Sequence, residues 1–347
     1  MLRWWPLVLV AACSADPPTR EQLGKQIFVD KTLSEPAGQS CADCHAPTAA
    51  FRDPESDHTT SMGAVDGRFG TRNAPTAMYA AAIPPLHHTD QWIGGQFWDG
   101  RANSLEAQAE GPLLNPKEMN NPDRAAVVAK VRAAPYAAAF REVYGAHALD
   151  NTDEAFGHIT DAIASYESGH ELSPFSSRYD KFIAGTGKLT AQEQRGYTVF
   201  QHDCASCHPP PMFTDFAYRN IGVPRYENSK ALEADPSFVD HGLMTTVGSA
   251  AEDGKFRTPT LRNITRTAPY GHNGYFENLP YMLEFLNTRD VGSKDVGDCG
   301  RNPSANQLCA WPAPEVAATV DHHVGNLGLT PGNLDDLAAF LDALSDE

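Results

Sequence analysis

Apolar residues recur at helical spacing in eight places along this chain. Nowhere do they alternate at spacing two for long enough to mark a strand. Leu23, Ile27 and Phe28 share one face behind a capping box, Thr19-Arg20-Glu21-Gln22. The clearest stripe is Ala155, Phe156, Ile159, Ile163 and Tyr166, which predicts a helix over 152–167. Further helices are predicted over 103–110, 122–133, 135–144, 190–202, 279–286 and 333–344. Thr190-Ala191-Gln192-Glu193 is a second capping box, and Asn121 followed by Pro122 reads as an N-cap with proline at the first helical position. Long Pro-, Gly- and Asn-rich segments separate these helices. The pattern gives a mainly α protein with a large irregular fraction.

The helical pattern contains a long-range repeat. Gly24-Lys25-Gln26-Ile27-Phe28 precedes Cys41-Ala42-Asp43-Cys44-His45, and Gly196-Tyr197-Thr198-Val199-Phe200 precedes Cys204-Ala205-Ser206-Cys207-His208. After each histidine come a proline (Pro47; Pro209) and a Phe-x-Asp triplet (Phe51 to Asp53; Phe213 to Asp215). Copies this far apart indicate two domains rather than a solenoid. The expected organisation is a leader over 1–12, a first domain over 13–185 and a second over 186–347, each domain carrying one CxxCH.

Composition narrows the partners. With 27 basic against 44 acidic residues the net charge is −17. That excludes a nucleic-acid binder, which would present a basic face, and favours a basic protein partner. The leader has one basic residue, Arg3, before an apolar stretch too short to span a bilayer. It ends Val10-Ala11-Ala12-Cys13, which resembles a bacterial lipobox. The chain is therefore expected to be exported to the periplasm as an outer-membrane-anchored lipoprotein, with a lipid on Cys13 as its only membrane attachment. Of seven cysteines, Cys299 and Cys309 flank a short polar loop and are expected to form a disulfide.

The remaining four cysteines carry the chemistry. CxxCH attaches haem c: two thiols one helical turn apart add to the two vinyl groups, and the next residue, histidine, reaches the iron. Structural zinc would need four ligands in one cluster, and a redox CxxC would need a thioredoxin-like βαβ setting. Two remote copies in an exported chain fit neither. Two covalent haems are expected, held by Cys41, Cys44, Cys204 and Cys207, with His45 and His208 as proximal ligands.

Several blocks, in order from about 23 to 344, resemble the bacterial di-haem cytochrome c peroxidase / MauG superfamily. They are Arg72-Asn73-Ala74-Pro75-Thr76, Phe97-Trp98-Asp99-Gly100-Arg101-Ala102, Gly111 to Met119, Arg257 to Asn263, and Thr267 to Gly274. The resemblance implies two cytochrome-c-like α domains with the haems on either side of their interface. It implies that Glu118 is the acid/base carboxylate over the peroxide-binding first haem. Trp98 would relay electrons between the haems, and Gln108 and Pro112 would line the distal pocket. Asn73, with carbonyls of Thr267 and Pro269, would form a calcium site. It also implies hydrogen peroxide as substrate, a small electron-donor protein (a cytochrome c or cupredoxin), and a homodimer as one arrangement.

Two positions depart from the family pattern. No histidine stands just before Arg72 to take the distal face of the first haem, so that iron is expected to be open, with His58, His87 and His88 as fallback ligands. At the second haem, the position where the family has methionine or tyrosine is Leu286, which cannot ligate iron. Met282, one turn earlier, is the nearest replacement; His272, His322, His323 and an open iron are the alternatives. Three functions follow. The chain is read first as a peroxidase drawing electrons from a small redox protein. The alternatives are a MauG-like oxidase of Trp or Tyr on a partner protein, and a non-enzymatic di-haem electron carrier.

Overall fold

The computed structural model describes residues 17–54, 59–291 and 311–347. The leader with Cys13, His58 and the Cys299–Cys309 pair lie outside them. All eight predicted helices are present: Arg20–Phe28, Leu105–Leu114, Arg124–Ala133, Ala137–Tyr144, Thr152–Glu167, Ala191–Asp203, Leu279–Thr288 and Pro331–Asp342. Shorter helices such as Arg178–Ile183 and Leu243–Val247 span too few residues to show a period. Two antiparallel two-stranded sheets complete the described part: His87–His88 with Trp92–Ile93, and Tyr218–Arg219 with Phe256–Arg257. Among the described residues, no helix is long and apolar enough to cross a membrane.

Both predicted capping boxes form, at Thr19 and at Thr190. The cap expected at Asn121 does not. Asp123 caps that helix, accepting from the Ala126 N–H at 2.8 Å. Asn121 is buried and donates to the carbonyls of Leu33 and Leu113. Long-range hydrogen bonds thus outweigh a local capping signal there. The helix expected to stop at 110 continues through Pro112 to Leu114. Proline has no N–H, so the Gln108 carbonyl loses its usual helical partner at that point.

The buried apolar side chains fall into two clusters. The first includes Leu23, Phe28, Phe51, Leu113, Val127, Phe140, Phe156, Ile163 and Leu172. The second includes Tyr179, Phe200, Phe213, Phe276, Phe285, Leu337 and Phe340. Each is built on the same crossing. A Cβ at Gly24 would lie 1.9 Å from the Ala162 carbonyl oxygen, and one at Gly196 would lie 1.9 Å from that of Asp336. Only glycine lets the backbones approach so closely. The repeat seen in sequence is therefore a repeat of packing, each CxxCH helix crossing the last helix of its own cluster.

The clusters are joined near the C-terminus. The buried Asp346 carboxylate accepts from the Tyr79 hydroxyl, the Ser176 N–H and the Asn263 amide. Arg262, fully buried, lies between the rings of Tyr79, Phe175 and Phe213 and pairs with Asp180.

Candidate functional site

Each CxxCH turn presents its histidine in one orientation. His45 Nδ1 lies 3.2 Å from the Phe51 carbonyl, and His208 Nδ1 lies 2.9 Å from the Phe213 carbonyl. A carbonyl only accepts, so Nδ1 carries the hydrogen and Nε2 keeps its lone pair for a metal. Burial lowers the affinity of both rings for a second proton, which keeps them neutral and ligand-competent. This explains the Phe-x-Asp triplet of the repeat: its phenylalanine, left-handed at φ 54° in both copies, turns its carbonyl onto the histidine.

None of the four cysteines is in a disulfide. Burial raises all the shifted ones, Cys44 and Cys204 to about 12 and Cys41 further. A redox or zinc-binding thiol needs the opposite shift, and among the described residues no cluster of three or more His, Cys, Asp or Glu could hold a metal. Thioether attachment of a porphyrin, which removes the ionisable hydrogen, suits buried thiols.

The surroundings fit such a group. Around Cys44, the buried atoms Gln39 Oε1 and Glu118 Oε2 have no hydrogen-bond partner, and Ser61 stands beside the Cys44 sulfur. They belong to segments in mutual contact: Gln39 Nε2 donates to the Met62 carbonyl at 2.6 Å, and the Ala64 N–H donates to the Glu118 carbonyl at 2.7 Å. The second turn opens on a cavity of about 270 Å³ lined by Cys204, Cys207, His208, Met282 and Leu286.

Glu118 faces the first turn. Its carboxyl is close enough to raise both Cys41 and Cys44. Burial raises Glu118 above the ordinary carboxylate value, opposed by Arg101 and by a hydrogen bond from Asn115. Gln108 and Pro112 stand one turn apart on the helix leading to it, and the Pro112 carbonyl accepts from the Met119 N–H.

Trp98 lines the second cavity, while its neighbour Phe97 packs on the helix that carries Gln108 and Pro112. The preceding Phe97 ring packs within 3.2 Å of where a Gly111 Cβ would be, beside Pro112. The Trp98 indole lines the second cavity and donates to the Asn73 carbonyl at 2.9 Å. Asn73, Thr267 and Pro269 line the same cavity, and the Asn73 amide lies 2.8 Å from the Pro269 carbonyl.

The histidine alternatives separate. His87 and His88 sit exposed on a surface hairpin, His88 against Trp92. His322 is exposed and pairs with Asp290. His323, exposed at the cavity rim, pairs with Asp321. His272 is buried in the cavity wall, but its ring is stacked on Phe256 at 3.7 Å and its Nε2 faces Glu315. Met282 and Leu286 share the cavity-facing side of their helix. Sequence reasoning gave no role to Gln39, which stands two residues before Cys41 without a motif signal, or to Ser61 and Arg257, which long-range folding brings to the sites.

These sites define a protein with two CxxCH turns of matching geometry, the first of them close to a buried acid. A profile of the di-haem cytochrome c peroxidase family matches residues 18–188. The chain is 40% identical to the methylamine utilization protein MauG of Paracoccus denitrificans, covering 93% of this chain and 88% of that protein. It is 31% identical to the cytochrome c551 peroxidase of Nitrosomonas europaea over 81% of this chain and 76% of that one. The crystal structure of the diheme peroxidase BthA from Burkholderia thailandensis superposes with a TM-score of 0.82 at 32% identity, covering 94% of this chain and 86% of that one. The chain belongs to the di-haem cytochrome c peroxidase / MauG family, and it is an oxidoreductase of that family.

Proposed function

We propose that this protein reduces hydrogen peroxide to water with electrons from a small redox protein: H2O2 + 2 e⁻ + 2 H⁺ → 2 H2O. When bound, the two haems supply iron that takes up oxidising equivalents and passes single electrons. The chain's residues do the rest. Cys41, Cys44, Cys204 and Cys207 attach the haems, and His45 and His208 present Nε2 to the irons. Glu118 takes a proton from one peroxide oxygen and returns it to the other, with Gln108 and Pro112 shaping the space beside it. Trp98 lies on the electron route, and Met282 would hold the iron of the second haem through its sulfur. Asn73, Thr267 and Pro269 bind calcium through oxygen atoms. Each CxxCH and its apolar cluster forms one cytochrome-c-like half. The protein is exported and held by a lipid on Cys13, and its charge of −17 attracts a basic donor.

The observation that carries this reading is the buried, unpartnered Glu118 oxygen beside the Cys41–Cys44 turn. Glu118→Gln keeps the shape and removes the proton site. Steady-state peroxide reduction should fall at least ~100-fold; unchanged kcat would reject the role.

A second reading, oxidation of Trp or Tyr on a partner protein, is favoured by two observations. No histidine occurs over 59–71, before Arg72, and the match to MauG stands at 40% identity. Peroxide added to the resting diferric protein separates the two. Rapid reduction with a cytochrome donor supports the peroxidase. A long-lived oxidised optical spectrum with little turnover supports partner oxidation.

A further inference from the structure

Arg219 and Arg257 line the second cavity, Arg72 precedes its lining residue Asn73, Arg262 is buried elsewhere, and all but Arg257 are answered by carboxylates. Arg72 pairs with Asp99 and Asp240, Arg219 with Asp215, and Arg262 with Asp180. Arg257 is the exception. It is 8% exposed, and its Nε donates to the Phe97 carbonyl at 3.3 Å. Among the described residues, no acidic side chain forms an ion pair with it. Across the strand pair stands Tyr218, whose phenol donates to the Gly94 carbonyl and is held neutral by burial, so it supplies no counter-charge. Burial lowers Arg257 to about 10, which leaves it cationic at neutral pH. An unpaired buried cation costs several kcal/mol unless an anion meets it.

Arg257 lines the cavity that also contains Cys204, Cys207 and His208. Its backbone N–H donates to the Trp98 carbonyl at 2.9 Å. We propose that Arg257 binds a propionate carboxylate of the haem attached at Cys204 and Cys207. It thereby fixes that haem's edge to the Phe97–Trp98 segment and raises its reduction potential. The proposal rests on the haem reading above. Two facts argue for the cofactor's own carboxylate over a dissolved anion. The cation is inside the cavity that opens on the attachment turn, and a haem brings carboxylates that need a partner once out of water.

The test is spectroelectrochemical titration of both haems in the holoprotein, comparing wild type with Arg257→Gln. The potential of the haem at Cys204 and Cys207 should fall so that its reduction equilibrium shifts at least ~tenfold, ~59 mV for one electron, while the haem at Cys41 and Cys44 shifts by less than about threefold. The freed propionate should then titrate, giving the variant a pH-dependent potential between about pH 5 and 8 that wild type lacks. If Arg257→Gln takes up no haem, Arg257→His replaces it: its potential should fall as the imidazole loses its proton over the same range. Equal shifts of both haems, no shift, or a flat profile in the histidine variant would overturn the proposal. So would a wild-type potential that moves with added chloride or phosphate, which would mean a dissolved anion. Peptide mass spectrometry keeps the two levels apart. Absence of haem on the Cys204–Cys207 peptide of wild type defeats the haem reading and the proposal together. Haem present without the potential shift defeats the proposal alone.

Discussion

The two halves of the molecule match on one side of each attachment turn and differ on the other. On the histidine side the match is residue by residue. Phe51 and Phe213 accept from the two histidines. Thr76 and Thr260 each donate at 2.6 Å to the carbonyl just before that phenylalanine, at Ala50 and Met212. Each threonine oxygen also accepts from the N–H two residues on, at Met78 and Arg262. Three residues after each threonine the backbone turns left-handed, at Tyr79 and Asn263. On the opposite side the first half presents a buried carboxyl, Glu118, and the second presents Met282 and Leu286. The duplicated part fixes a histidine, and the unduplicated part sets which side chains stand near it. A group that must move protons needs an ionisable side chain near it, whereas one that only passes electrons is better served by an apolar wall that limits reorganisation.

The largest effect that would break this contrast is at Glu118. As a base the carboxylate must be ionised, so wild-type turnover should fall as pH drops through its pKa. Burial raises that value, placing the acid limb above the 4.5 of an ordinary glutamate. Glu118→Gln should remove the limb together with at least ~100-fold of kcat, about 2.7 kcal/mol of barrier. A pH–rate profile of both proteins checks it. The counterpart is Met282→Ala. That change should convert the second haem from low spin to high spin by electron paramagnetic resonance and leave the first unchanged. Unaltered spectra would remove Met282 as the ligand: a low-spin signal would then point to a histidine, and a high-spin signal to an open iron.

The matching side is tested at the two glycines. Gly24→Ala and Gly196→Ala each force a Cβ into a carbonyl oxygen that belongs to helix backbone and cannot swing away. Each should destabilise the holoprotein by about 1–3 kcal/mol, the range for overpacking a tight contact. Denaturant midpoints should shift by similar amounts for the two. A large loss at one glycine and none at the other would show that the crossings are not equivalent.

Much of this was legible in the sequence because the repeat is local. The glycine, the CxxCH and the Phe-x-Asp triplet all fall within 30 residues of one another in each copy. The helices were legible because their apolar stripes span two or more turns. The Pro-Thr pair, Pro75-Thr76 and Pro259-Thr260, recurs as well, but at a distance from the triplet that hides its link to it. What was not legible depends on long-range contact. Asn121 reads locally as a cap, yet it serves carbonyls at Leu33 and Leu113. Arg257 opens one of the family-like blocks, yet only its burial away from any carboxylate marks it as a site residue. Ser61 reaches the first site through a segment that carries no periodic signal, 17 residues after Cys44.

The smallest effect concerns a second acid found only in the first half. Glu167 is buried at the end of the Thr152–Glu167 helix, close enough to raise Cys41. Burial, with a smaller contribution from Glu106, raises its own value from 4.5 to about 8. Below about pH 4.5 the folded and unfolded chains both hold the proton, and the group adds no penalty. Between about 4.5 and 8 the unfolded chain gives up the proton while the folded chain keeps it, so stability falls as pH rises and levels off above 8. Glu167→Gln removes that slope. The variant should be more stable than wild type at pH 8 by about 1–3 kcal/mol and equal to it at pH 4. Denaturation midpoints at the two pH values measure the difference. An equal gain at both would mean that packing, not ionisation, distinguishes the glutamine. No gain at pH 8 would mean that the first half holds Glu167 charged, with a cation or ordered water beside it that the second half does not need.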